Sequence, residues 1–484
     1  MYKNNDSLKK RYVFKLLSSV ISGIINAILV AIAPKALGPI AYGQFNYLQQ
    51  LFNQLFSFLD SNTSTAFFTK LSANNERKEL LGFYFFFSLI IFFCAITFVY
   101  SVECFGFSVD IFSEVDRVYI YYALMFGFIT WLTQVLVKIS DSYALTVSIE
   151  IIKVIHRLIS LGIIFSAFYF LSLDLELYFI LQIGLSFFFA LVVSLVFIKL
   201  NVISVKILFF ISGWRSILKE FYKFCSPLII FNIVAVLGSF FDIWLLQRVS
   251  GAEEVGYYGL AYSISAMCLI FTSAMTPIIM REFSKSIHSG KLKEVRSIFL
   301  SYSPRLYLVS AFFCVFIMMN ATDLLLVFSD DRYFDAHVSL MIMAFYPLHQ
   351  TYGQISSSLF FASEKVRLYR NIGLFYTLIG VAISFLTLSF FELGAMGLAI
   401  KMILIQFFGV NTQLYFNSKY LEINFFKLLL QQFWVLPPLF LFCYISKISY
   451  FNSAILNVAA SGLVYAILGG AFAILIKKKW TNIF

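Results

Sequence analysis

Residues 37–70 read LGPIAYGQFNYLQQLFNQLFSFLDSNTSTAFFTK. The stretch is long and apolar enough to cross a bilayer, yet it carries polar residues that an ordinary membrane span excludes. Asn46, Gln49, Asn53, Ser57, Asp60 and Ser64 follow one another at intervals of three or four residues. At 3.6 residues per turn this spacing predicts one helical face. Tyr47, Leu48, Leu51, Phe52, Leu55, Phe58 and Leu59 supply the other faces, which lipid or neighbouring helices accept. Asp60 is the costly member, because an acid at the centre of a span is unfavourable by about 2.5–3.5 kcal/mol on insertion scales. Hydrogen bonding to a neighbouring helix accounts for a lone amide. Six polar groups in register point instead to water inside the protein, and so to a cavity.

Composition agrees with a membrane setting. The 484 residues are 61% hydrophobic and 13% charged, with a mean hydropathy of +0.87; soluble globular chains carry about 25% charged residues. The chain is apolar from end to end, which leaves no room for a separate soluble domain. Cys94, Cys104, Cys225, Cys268, Cys314 and Cys443 form no CxxC pair, and the four histidines have no ligand spacing. No metal site, disulfide framework or cofactor is expected. The basic head (Lys3, Lys9, Lys10, Arg11, Lys15) and Ala31-Ile32-Ala33 mimic a signal peptide. Pro34 after that triplet and the length of the apolar run favour a retained first span.

Apolar runs and their polar breaks predict an all-α polytopic membrane protein of about 14 transmembrane helices. The expected spans are 14–34, 40–69, 80–102, 118–138, 154–172, 177–198, 224–247, 255–284, 305–328, 338–361, 372–391, 394–417, 431–449 and 453–476. With both termini inside, 30 of the 36 Lys and Arg fall on inner segments and five outside, while 13 of the 25 acids fall outside. That asymmetry is the positive-inside pattern, and adding or removing one helix would mix the two populations. The formal charge of +11 is therefore a topology signal, and no nucleic-acid partner is expected.

An internal repeat lies within this frame. Gly38-Pro-Ile-Ala-Tyr-Gly43-Gln-Phe45 opens span 2, and Gly251-Ala-Glu-Glu-Val-Gly256-Tyr-Tyr258 opens span 8. Both set two glycines five apart with an aromatic two residues after the second. Span 8 then carries its own polar series, Tyr258, Tyr262, Ser265, Thr272 and Thr276. Ser19, Ser22 and Asn26 of span 1 are matched by Asn232, Ser239 and Asp242 of span 7. Spans 1–6 and 7–12 thus read as two pseudo-symmetric six-helix lobes of like orientation, 1–205 and 206–417, with 418–484 an added C-terminal helix pair.

LGPIAYGQF after span 1 and FFDIWLLQRVSGAEEVGYYGLAYSI from span 7 into span 8, with the length and span count, resemble the O-antigen (O-unit) flippases of Gram-negative polysaccharide assembly. These belong to the multidrug/oligosaccharidyl-lipid/polysaccharide (MOP) exporter superfamily. The resemblance implies a flippase in the bacterial inner membrane, both termini cytoplasmic. Its substrate would be an undecaprenyl-diphosphate-linked oligosaccharide, moved from the cytoplasmic to the periplasmic leaflet. It further implies two bundles around a central cavity, alternating access and coupling to H+ or Na+. A monomer that associates with polysaccharide assembly proteins is the expected state.

Candidate site residues follow from charge or polarity inside the spans. Asp60 and Asp242 suit a proton or sodium ion, or a partner lysine or arginine; each can equally be a structural partner of a neighbouring helix. Lys401, about seven residues into span 12, suits a diphosphate or acidic sugar, with a salt bridge as the alternative. Lys35 and Arg248 occupy matching outer ends of spans 1 and 7, where anion binding and interfacial anchoring compete. Arg305 lies beside Pro304 at the inner end of span 9. Asn26, Asn46, Gln49, Asn53, Asn232, Tyr262 and His349 complete the expected cavity lining.

Two other function classes compete. A MATE-like cation-coupled multidrug exporter would share fold and topology, and Lys401 argues weakly against a cationic ligand. A membrane enzyme, either a polymerase or an acyltransferase, finds no support, because no HExxH, P-loop or GxSxG pattern is present and the longest outer loop, 103–117, is short and acidic.

Overall fold

A computed structural model describes residues 8–74, 76–112, 115–143, 145–204, 213–448 and 451–483, with side chains left out at 8–13, 15, 16, 72, 73, 227, 228, 231, 271, 274, 277 and 473–483. The basic N-terminal head, the closing Lys477–Lys479 side chains and the 205/206 lobe boundary fall outside these described residues. The described residues form α-helices joined by short turns, with one 3-10 turn and one π turn.

In chain order the helices are α1 (Leu8–Asp60), α2 (Thr63–Ala73), α3 (Glu79–Cys104), α4 (Ser108–Phe112), α5 (Arg117–Ser142), α6 (Thr146–Phe170), α7 (Leu175–Lys199) and α8 (Trp214–Ala266). They continue as α9 (Leu269–His288), α10 (Leu292–Met319), α11 (Ala321–Phe328), α12 (Ala336–Met343), α13 (Tyr346–Ala362) and α14 (Val366–Phe385). The last four are α15 (Gly394–Leu421), α16 (Phe425–Trp434), α17 (Leu436–Ser446) and α18 (Ala454–Ile483). Eleven helical stretches among the described residues are long and apolar enough to cross a membrane. Two of them, in α1 and α8, bend at a glycine. The column at 336–362, expected as span 10, is shorter and more polar and is not among the eleven.

The two bends give the repeat a backbone form. Gly38 has φ 75 and ψ 173 inside α1, and Gly251 has φ 86 and ψ 176 inside α8. This mirror-image extended conformation is open to glycine and almost nothing else. Pro39 reinforces the first bend, since the residue before a proline is driven out of the helical region. At Gly251 the glycine acts without a proline.

Several expected spans are interrupted. Span 2 is not one helix over 40–69: it stops at Asp60, Ser61 and Asn62 take left-handed conformations (φ 43 and 67), and α2 begins at Thr63. Span 8 breaks at 267–268, span 10 between α12 and α13, and span 13 between α16 and α17. Span 9 begins at Leu292, so Arg305 lies well inside α10 rather than at its inner end. Span 5 begins at Thr146 as α6, which brings Glu150 and Lys153 into the helix.

By internal contacts the chain divides into two compact units. The first comprises Met1–Leu29 with Ile40–Val255, and the second Val30–Pro39 with Gly256–Phe484. Aromatic packing holds the first: Phe45 meets Tyr178 edge-on at 4.8 Å and Phe67 stacks on Tyr84 at 4.3 Å. In the second, Phe312 stacks on Tyr465 at 4.3 Å, and the Tyr465 hydroxyl donates to Phe312 O.

Candidate functional site

The helix break at Ser61–Asn62 turns Asp60 back over the start of α2. Its Oδ1 accepts from Thr63 Oγ1 (2.9 Å), the Ser64 amide (3.0 Å) and the Tyr84 hydroxyl (3.0 Å), and its Oδ2 from Ser64 Oγ (2.8 Å). The carboxylate thereby satisfies an otherwise orphaned N–H of the new helix from the end of the old one. Lys138 of α5 donates to Ser64 Oγ at 2.6 Å. A chain Lys138–Ser64–Asp60 results, in which one hydroxyl lies between ammonium and carboxylate.

This chain forms one wall of a cavity of about 400 Å³. Asn53, Ser57, Asn62 and Thr65 line it from α1, the break and α2. Thr130, Trp131, Gln134 and Lys138 line it from α5. A second cavity of about 240 Å³ shares Ser57, Asp60 and Asn62, and adds Gln54 with Asn232 and Ser239 of α8. The volume of the larger falls within the usual range of ligand pockets.

The six-residue polar row does not line these cavities as a set. Asn53, Ser57, Asp60 and Ser64 do; Asn46 is buried and donates to Tyr42 O at 2.9 Å. Gln49 lines neither cavity. The four lining residues run across the helix break, whereas Asn46 and Gln49 lie further back on α1. Thr130, Gln134 and Lys138 were absent from the sequence-derived set, although their spacing of four places them on one helical face. That row was the signal; ending span 4 at Lys138 made the lysine look like an inner-segment charge.

The remaining candidates divide between the units. In the first, Asn26 Oδ1 accepts from Arg157 Nη1 at 3.1 Å, beside a second contact in which Ser18 Oγ donates to the buried Glu150 at 2.5 Å. Lys153 lies 3.6 Å from the same carboxylate. Arg248 pairs with Asp110 of α4 at 2.7 Å, where Trp244 Nε1 donates to Asp110 O. Asp242 is part-buried in α8 and lines neither cavity.

In the second unit, Lys35 Nζ donates to Val327 O at 2.7 Å, and Arg332, paired with Asp330, donates to Lys35 O at 2.8 Å. Tyr262 packs on Tyr346 at 5.7 Å and Tyr258 at 6.4 Å. His349 is buried edge-on against Phe407 at 5.1 Å, its Nδ1 without a hydrogen-bond partner. Lys401 is part-buried on α15 against the Gly380 turn of α14, and Arg305 is exposed.

A further ion-pair cluster lies in the first unit outside the spans. Glu220 accepts from Arg77 Nη1 at 3.1 Å and Nη2 at 3.4 Å, with Lys70 at 3.5 Å. The Arg77 hydrogen bonds, aided by the nearby charges of Arg77 and Lys70, hold the Glu220 carboxyl below its ordinary range.

No family model matches the chain, and no curated protein matches its sequence. Solved structures do match in fold. The lipid II flippase MurJ, in an inward closed conformation, aligns with a TM-score of 0.72 at 12% identity, over 96% of this chain and 99% of its own. An inward-facing multidrug resistance MATE family transporter of the MOP superfamily aligns with a TM-score of 0.62 at 15% identity, over 87% of this chain and 97% of its own. An outward-facing one gives 0.62 at 16%, over 86% and 96%. The chain has the fold these transporters share.

Proposed function

We propose that the protein is a flippase that carries a lipid-linked oligosaccharide across the bacterial inner membrane. The substrate in this reading is an undecaprenyl-diphosphate-linked repeat unit of O-antigen type, taken from the cytoplasmic to the periplasmic leaflet by alternating access. Both termini lie in the cytoplasm, as the charge asymmetry supports. The observation that carries the reading is the hydrogen-bonding cavity beside Asp60 in a chain otherwise built for hydrocarbon, since a glycan head group needs a wet route that lipid cannot offer. The likeness to the MurJ fold over nearly the whole of both chains supports a flippase over a multidrug exporter, whose MATE counterparts align over less of this chain.

Ion coupling at Asp60 belongs to the same site, and Asp242, which lines neither cavity, is the second proton-binding candidate. Around Asp60 the titratable neighbours are Tyr84 of α3, Lys138 of α5 and Cys225 of α8. A proton on Asp60 would turn an acceptor into a donor, break the Ser64 link and release Lys138 toward the cavity. Such a change biases two conformations only because the contacts differ between them.

Deletion of the gene in its host tests the transport reading. The expected result is loss of surface glycan, with lipid-linked repeat units retained on the cytoplasmic leaflet and restored by the intact gene. Normal glycan with loss of organic-cation efflux would establish the exporter instead. Full flipping with unchanged pH dependence in both Asp60→Asn and Asp242→Asn would eliminate the coupling assignment.

A further inference from the structure

We infer that the larger cavity is a binding site for an uncharged sugar unit, and that its chemistry rejects both anions and cations. The inference rests on the transport reading only for how the ligand arrives. Its basis is the division between polar groups already engaged and those left open.

The two charged groups in the lining are engaged with the protein. Three donors fill Asp60 Oδ1 and one reaches Oδ2, so of about four lone-pair sites in all the one left open is on Oδ2, beside Ser64. Lys138 donates a hydrogen bond to Ser64 Oγ at 2.6 Å and faces the Asp60 charge through it. A cation entering the cavity would find acceptor capacity only on Asp60 Oδ2, beside the Ser64 hydroxyl that the Lys138 ammonium already holds, and would be repelled by that charge. An anion would find one ammonium that already has its counter-charge, and a diphosphate would bring more negative charge than the site could match.

The open groups are neutral. Asn53, Ser57, Asn62 and Gln134 make no side-chain hydrogen bond among the described residues, and Asn53, Ser57 and Gln134 are exposed to the cavity side. Thr130 Oγ1 is a buried atom without a partner. Amides and hydroxyls present donors and acceptors together, the complement of a ring bearing hydroxyl and acetamido groups. Trp131 also borders the cavity, but it is buried and packed between Phe128 at 6.1 Å and Tyr84 at 6.3 Å, so it shapes the wall and leaves recognition to the open amides and hydroxyls. An uncharged hexose or N-acetylhexosamine unit meets all of these features, and the charged linkage must be accommodated elsewhere.

The test uses the full-length protein purified in detergent, with binding measured calorimetrically and by tryptophan fluorescence. The probes are N,N′-diacetylchitobiose, a glucuronic acid disaccharide, inorganic pyrophosphate and tetraphenylphosphonium. Saturable binding of the uncharged disaccharide alone, weakened roughly tenfold in Gln134→Ala and Asn53→Ala at unchanged thermal stability, is the expected result. Thr130→Val gives a second, less disruptive variant with the same direction. Equal binding of pyrophosphate, the uronate or the cation would overturn the inference, as would no saturable binding of the disaccharide at millimolar concentration. Either failure leaves the deletion phenotype as an independent judgement on transport.

Discussion

Replacing Asp60 separates its structural role from its candidate coupling role. In Asp60→Ala, the Thr63 and Ser64 hydroxyls keep other partners, because Thr63 Oγ1 lies 3.2 Å from the Tyr84 hydroxyl and Ser64 Oγ still receives Lys138. The Ser64 amide and the buried Tyr84 hydroxyl lose their main acceptor, and Lys138 loses its counter-charge. Two orphaned donors at about 1–3 kcal/mol each give an expected destabilisation of about 2–6 kcal/mol. Asp60→Asn keeps one carbonyl oxygen for the Ser64 amide and Tyr84, and its NH2 can donate to Ser64 Oγ. It should cost only about 1–2 kcal/mol, the difference between a charged and a neutral acceptor. Unfolding of the detergent-purified variants, followed by tryptophan fluorescence, ranks the three proteins. If Asp60→Ala unfolded with the wild type, the closure of the helix break by this carboxylate would be refuted, whatever its effect on transport.

The two glycine bends provide a matched comparison. A methyl group on Gly251 meets nothing within 4 Å, so Gly251→Ala should cost only the backbone strain, about 1–3 kcal/mol. On Gly38 the methyl would lie 2.5 Å from Arg332 Nη1; Gly38→Ala should destabilise more, and Arg332→Ala should recover part of the excess in the same unfolding assay. The Glu220 cluster gives a pH signature. Its carboxyl is held below the ordinary 4.5, so its stabilisation is complete above that value and is lost as pH falls through the depressed one. With the side chains 27–35% exposed, Glu220→Gln should cost no more than about 1 kcal/mol at neutral pH, and its unfolding temperature should converge with the wild type in acid. Gly469 is packed against Phe312, and a methyl there would lie 2.5 Å from its ring. Gly469→Ala should destabilise by about 1–3 kcal/mol through overpacking, since Phe312 is held by its stack on Tyr465.

The helical columns and the two glycine bends were legible because each rests on a signal local to the chain: apolar length and residue spacing. Breaks inside the columns were not. Ser61 and Asn62 take left-handed conformations with no glycine or proline to announce them, and the break is closed by Tyr84 and Lys138 from helices distant in sequence. The polar row was half readable for the same reason. Periodicity places Asn46 and Asn53 on one face, but not which of them meets a backbone carbonyl and which meets open space. Glu150 and Arg157 were missed differently. Apolar runs begin a span where hydrocarbon character begins, whereas α6 starts earlier and carries Glu150 against Ser18; Arg157 falls inside the expected span 154–172, and only the fold brings it to Asn26.

Those missed residues bear on how a cavity can exist in this chain. Each unpaired charge within a span costs about 2.5–3.5 kcal/mol on insertion scales, and the first unit holds several: Asp60, Lys138, Glu150, Lys153 and Arg157. Their contacts reduce that cost: Ser64 bridges Asp60 and Lys138 across helices, Glu150 takes Ser18 from another helix and Lys153 from its own, and Arg157 meets the neutral amide of Asn26. Charge balanced in this way is withdrawn from ligand binding, because moving any partner exposes the other. The neutral amides on Asn53 and Gln134 carry no such obligation. They can trade water for a ligand's hydroxyls without disturbing a charge. A membrane protein that must admit a polar but passing guest therefore gains by lining its cavity with groups of this kind and keeping its ions engaged with one another.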